Sequence, residues 1–127
     1  IVPQPRIRNA DLWAGLEQYC RQLAAEGHEL LIVAGPAGSI ATIAGGHVQV
    51  LEYMWKIAVV QPIGHRTVSE SSRVIAIRMS NKVQARVADW RDCRVSVGSL
   101  EDELEYHFFN SLDEQLQRAL KRKIDQD

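Results

Sequence analysis

The chain has 127 residues, 46% of them hydrophobic, and its 15 Lys+Arg against 16 Asp+Glu give a formal net charge of −1. That length suits one globular domain with a real core, and the near balance of charge excludes a global attraction to nucleic acid, so any basic surface has to be local. Cys20 and Cys93 are too few for a disulfide framework and match no metal-binding spacing; two buried thiols are favoured over one optional disulfide. No apolar run is long enough to span a bilayer and no signal peptide is visible, which leaves the compartment open.

In chain order, Leu12, Trp13, Leu16, Cys20 and Leu23 recur at three- and four-residue steps. They predict an amphipathic helix from Asn9 to about Gly27, where glycine ends it. Residues 29–35 form a short β-branched apolar run closed by Gly-Pro, which reads as a buried strand. The Gly-rich stretch 35–46 lacks the Gly-Lys-Ser/Thr ending of a phosphate-cradling loop and is expected to be a flexible connector. Residues 47–50 and 55–61 read as strands around a turn at Leu51-Glu52-Tyr53, and 73–79 as another strand after a polar loop at 64–72. Ser99 with Asp102, and Ser111 with Glu114, resemble the caps of two closing helices, the last carrying Leu112, Leu116, Leu120 and Ile124. Without a regular βαβ rhythm, the pattern implies an α+β fold with a largely antiparallel sheet, residues 1–127 forming a single domain.

On the first helix Asn9, Glu17 and Arg21 invite a chemical reading. An Asn carbonyl oxygen is a hard, neutral ligand suited to Mg²⁺, which keeps several waters, and a Glu some 80° round an ideal helix can hydrogen-bond one of them. Arg21, one turn beyond Glu17, can hold that carboxylate ionised or reach a phosphate. Spacing equally allows Asn9 to be a helix cap and Glu17–Arg21 an ordinary surface i,i+4 pair.

Val2-Pro3-Gln4, Asn9, Trp13, Leu16-Glu17, Ala34-Gly35, Trp55-Lys56, Arg73 to Ile77 with Asn81, Arg94 to Val97 and Tyr106 to Phe109 follow one another in an order that resembles the second half of the DNA/RNA non-specific endonuclease family, the ββα-metal nucleases. The resemblance implies a mostly antiparallel sheet flanked by helices and incomplete at its N-terminal side, the chain being the C-terminal part of a larger nuclease domain. It implies Mg²⁺ as cofactor, with Mn²⁺ as a substitute, and Asn9 as its protein ligand. Glu17 would orient metal-bound water and Arg21 would help bind phosphate. DNA and RNA would be held through phosphate contacts, and the upstream segment of the same nuclease would be a partner; a homodimer is compatible with the family, whose members are often secreted, periplasmic or mitochondrial. The family's Asp-Arg-Gly-His signature, source of its general base, does not occur here and would fall before Ile1. Leu51 stands where the family usually has Pro, and Glu105 where Gly is common. The alternative is a catalytically inactive remnant, or a nucleic-acid-binding or interaction domain.

Of the histidines, His28 and His47 read as exposed turn residues, His65 as a solvated loop residue and the least unlikely substitute base, and His107 as a partly buried structural group. Arg6 and Arg8, just before Asn9, are candidate phosphate contacts beside a helix N-terminus, with solvated arginines the alternative. Lys121-Arg122-Lys123 reads as a solvated face rather than a nucleic-acid grip, and Trp90 as core.

Overall fold

A computed structural model describes residues 9–43, 46–64, 67–80 and 89–127. Helix α1 (Asn9–Ala25) leads into strands β1 (His28–Ile43), β2 (Gly46–Pro62) and β3 (Arg73–Ser80). A 3₁₀ turn (Trp90–Cys93), the short strand β4 (Arg94–Val95) and helices α2 (Val97–Leu104) and α3 (Glu114–Lys121) follow. The strands form one antiparallel sheet in the order β1-β2-β3-β4, so the architecture is α+β as expected.

Period-two alternation along β2 and β3 sorts side chains into two layers. Ala58 and Val60 of β2, with Ile75, Ile77 and Met79 of β3, meet Leu12, Leu16, Cys20 and Leu23 of α1 and the ring of Trp90. Tyr53, Trp55, Ile57 and Val59, with Val74 and Ala76, face Val97 and Leu100 of α2 and Leu120 of α3. Helix α1 therefore lies on one face of the sheet, and α2 and α3 cover the other. The α1 stripe read from the sequence is the buried one. The helix stops because Gly27 takes φ 101°, returning its N–H to the Ala24 carbonyl.

Two sequence expectations fail along the β1–β2 hairpin. Residues 35–43 continue β1 instead of forming a connector, and β2 runs unbroken through 51–53. The signals were real but mean something else. Ala37 pairs with Tyr53 and Gly38 with Leu51, so the register skips Glu52, and the expected turn is a β-bulge. Gly35 is needed for close approach: a Cβ there would come within 3.0 Å of the Trp55 ring. The caps also shift. Ser96, not Ser99, accepts the Ser99 N–H at the start of α2, and Asp113, not Ser111, accepts the Gln115 N–H at the start of α3. Helix α3 is shorter than expected, with Leu112 before it and Ile124 after it. The polar segment before β3 is a loop, fixed where Gln61 donates to the Thr67 carbonyl and accepts from Ser72.

The last residues are strapped across the sheet. Asp125 accepts from Arg73 Nε at 2.7 Å and Nη2 at 3.1 Å, and from Arg94 Nη1 at 3.1 Å. Arg73 also donates to the Tyr19 hydroxyl at 2.8 Å, tying the tail to α1, and Lys123 donates to the Ser72 and Glu70 carbonyls. Cys20 is buried and Cys93 half-buried, both as free thiols. Burial raises both thiol pKa values. Among the described residues no helix is long and apolar enough to cross a membrane.

Candidate active-site cleft

Trp13, Glu17 and Arg21 stand four residues apart on α1, whose first residue is Asn9, and at that spacing the three form one oblique row along the helix. The buried stripe fixes where this row points. Leu12, Leu16, Cys20 and Leu23 are each at most 6% exposed against the sheet, which leaves the row at the flank of the helix, over the junction of β1 and β2. There an open cavity of about 370 Å³ is lined by Glu17, Cys20 and Arg21 of α1, His28, Leu30 and Ile32 of β1, and Lys56 of β2. Glu17 and Arg21, singled out from the sequence, thus meet in one concavity.

Arg21 is exposed and donates to Gln18 at 3.3 Å, a weak local tether that a phosphate would readily replace. The Asn9 backbone opens α1, while its side chain lies outside the described residues, as do Arg6, Arg8 and His65. His47 is in the β2 backbone, without a described side chain.

Lys56 was not singled out as a site residue from the sequence. It occupies a position on β2 whose neighbours on the same side, Ala58 and Val60, are core, and it is only 7% exposed. Its ammonium lies 4.5 Å from the centroid of the Trp13 ring, a cation–π contact. The signal in the sequence was a lysine inside the apolar run of a central strand, where a charge is costly unless something receives it.

Two histidine expectations are corrected. His28 is half-buried, not an exposed turn residue: its Nδ1 donates to the Leu23 carbonyl at 3.0 Å, capping the end of α1 from the cavity wall. His107 is exposed, because the packing in its segment is done by Phe108 and Phe109. The basic run at the end of α3 is engaged internally. Lys121 pairs with Glu101 at 2.9 Å and Lys123 holds the loop before β3, so neither is spare for a ligand. Trp90 is core as expected, 3% exposed and stacked near Tyr19 at 5.2 Å.

Among the described residues no cluster of three or more His, Cys, Asp or Glu side chains is disposed to hold a metal ion. A hard divalent cation that keeps most of its waters needs no such cluster. The Glu17 carboxylate is an oxygen donor of the kind that suits such an ion better than a soft one.

The protein is thus an α+β fold with a cleft between a helix and the edge of an antiparallel sheet, where Arg21 and Lys56 stand with one carboxylate, Glu17. Residues 1–115 match the family described as DNA/RNA non-specific endonuclease. Over 128 aligned positions the chain is 37% identical to a protein named Nuclease from Nostoc sp. (strain PCC 7120 / SAG 25.82 / UTEX 2576), an alignment covering 98% of this chain and 46% of that relative. The chain belongs to the DNA/RNA non-specific endonuclease family, and it spans less than half the length of this curated relative.

Proposed function

We propose that this chain forms the metal-holding side of a non-specific endonuclease that hydrolyses phosphodiester bonds in DNA and RNA with Mg²⁺, or Mn²⁺ in its place. The observation that carries the reading is the meeting of Glu17 and Arg21 in one open cavity, on the helix that begins at Asn9. In this reading Asn9 and Glu17 belong to one oxygen-donor row, of which Asn9 would hold the ion. When bound, the ion supplies neutralisation of charge on the phosphate and on the leaving oxygen.

The chain's own residues have separate tasks. Glu17 accepts a hydrogen bond from water and fixes its orientation, as carboxylates behind a metal commonly do. Arg21 trades its contact with Gln18 for a phosphate oxygen, gaining a charge-assisted bond in place of a neutral one. Arg6 and Arg8, preceding Asn9, extend phosphate contact along the backbone of the substrate, which accounts for cleavage without sequence preference. The proton from the attacking water goes to a histidine supplied by a segment preceding Ile1, and the ββα-metal arrangement is completed there. The chain covers 46% of the Nostoc relative, which is compatible with a longer protein.

Plasmid cleavage by the protein as its gene encodes it tests the reading. Activity with Mg²⁺, lost in EDTA and reduced at least about hundredfold by Asn9→Ala, is the expected result, since an ion contributes several kcal/mol to such a reaction. Cleavage that survives both treatments refutes it.

A further inference from the structure

We infer that Lys56 is a substrate-phosphate contact in the same cleft, a second fixed cation beside Arg21. The inference rests on the nuclease reading and adds a residue to it. Lys56 is more than nine-tenths buried, on a strand position flanked by core side chains, yet its side chain lines the open cavity. An ammonium in that position gives up part of its hydration, and the Trp13 ring returns some of it without supplying a negative charge. An anion is needed to complete the balance. Among the described residues Glu17 is the one carboxylate lining the cavity, set there against two fixed cations, Lys56 and Arg21, so the cleft keeps a positive excess.

The position of the ammonium along the helix says which anion fits. Trp13 stands one turn after Asn9 and one turn before Glu17, and the ring holds Lys56 at that middle rung. A phosphodiester held by Arg21 in the cavity would lie beside this rung. The ring receives the ammonium itself, at the wall of the cavity that Lys56 lines. Lys56 is anchored from β2 and the other groups from α1, so the substrate phosphate would bridge the helix and the sheet.

The test uses the protein as its gene encodes it and a short single-stranded DNA oligonucleotide in EDTA, where binding is read without cleavage. Lys56→Met keeps an unbranched apolar side chain beside Trp13 but removes the charge and with it the cation–π contact. It should weaken binding about tenfold and reduce the slope of log Kd against log salt by about 0.7–1, the value of one phosphate contact. Lys56→Arg should retain most of that slope. Thermal melting checks the fold, and Lys56→Gln carries the same test if the methionine variant melts below the assay temperature. Unchanged Kd and salt slope in Lys56→Met, with Arg21→Ala losing both, overturns the role of Lys56 and leaves the nuclease reading standing. A fall in kcat with Kd and slope intact overturns it too, because Lys56 would then act only through Glu17. If Glu17→Gln and Arg21→Ala cleave like the wild type, the underlying reading fails instead.

Discussion

Replacing Asp125 should be a strongly destabilising change, because Asp125 ties the end of the chain to the sheet. Its side chain is 2% exposed and lies between Arg73 and Arg94, whose side chains are each 20% exposed. Burial pushes the Asp125 carboxyl upward, but hydrogen bonds and attraction from the two guanidiniums outweigh it and hold the pKa below the usual carboxylate range. The same pairing, chiefly the Asp125 hydrogen bond, raises that of Arg73. Asp125→Ala leaves two guanidiniums facing each other with only the exposed Asp127 carboxylate, 3.8 Å from Arg73 Nε, as counter-charge. Removing one partner of a buried pair costs about 3–5 kcal/mol, and the partial exposure of both arginines brings the expectation to about 2–4 kcal/mol. For a domain of this size that is roughly a 10 °C fall in Tm, read by calorimetry or circular dichroism. The sign with pH is fixed. A carboxyl with a depressed folded pKa contributes stability above its unfolded value of about 3.9, and the contribution is lost as pH falls through the folded pKa. Asp125→Asn should therefore show its full deficit at pH 7 and a shrinking one below about pH 4. A deficit under about 0.5 kcal/mol at pH 7, within the range of ordinary surface substitutions, would refute the clamp, as would one that stays constant down to pH 3.

Glu105 occupies the left-handed region at φ 57°, so Glu105→Gly should raise stability by about 0.5–1 kcal/mol in denaturant titration. A Cβ on Gly98 would stand 3.1 Å from the Lys121 carbonyl oxygen; Gly98→Val should push α2 from α3 and cost about 1–3 kcal/mol, measured the same way. Leu16 is fully buried beneath the Glu17 row, and Leu16→Ala should cost about 2–5 kcal/mol and lower cleavage beyond the loss of folded protein. Glu17→Gln should lower cleavage about 10–100-fold with the melting curve unchanged.

The parts of the fold legible in the sequence were those where one physical signal dominated. Leu12, Leu16, Cys20 and Leu23 recur at helical steps and read as one apolar stripe, and residues 73–79 alternate in a way that suits a strand. The hairpin was misread because Gly35-Pro36 and Leu51-Glu52-Tyr53 carry the chemistry of turns. In the structure the glycine makes room for the Trp55 ring and the irregularity at Glu52 is absorbed by a bulge, and both depend on a strand pairing that no local window contains. The cap positions slipped for a smaller reason. Ser96 and Ser99 are both competent caps, and only the backbone at Ser96, φ −86° and ψ 152°, decides between them. At the site, Glu17 and Arg21 were visible through their spacing and the family resemblance. Lys56 was quoted in that resemblance but not recognised as a site residue, since its place beside Trp13 comes from the packing of β2 under α1, a contact between residues far apart in the chain.

Strand β1 has a consequence for how the protein behaves in solution. Among the described residues it is paired on one side only, to β2, and Leu31, Ile32 and Val33 are 63%, 49% and 46% exposed, so apolar side chains emerge from both of its faces. A long strand of this kind is the geometry from which edge-to-edge stacking of chains begins. Turbidity and concentration-dependent sedimentation should therefore trace to this strand ahead of the other described residues. A single charge placed at Leu31, away from the cleft-lining Leu30 and Ile32, is the change that quiets them without disturbing the site.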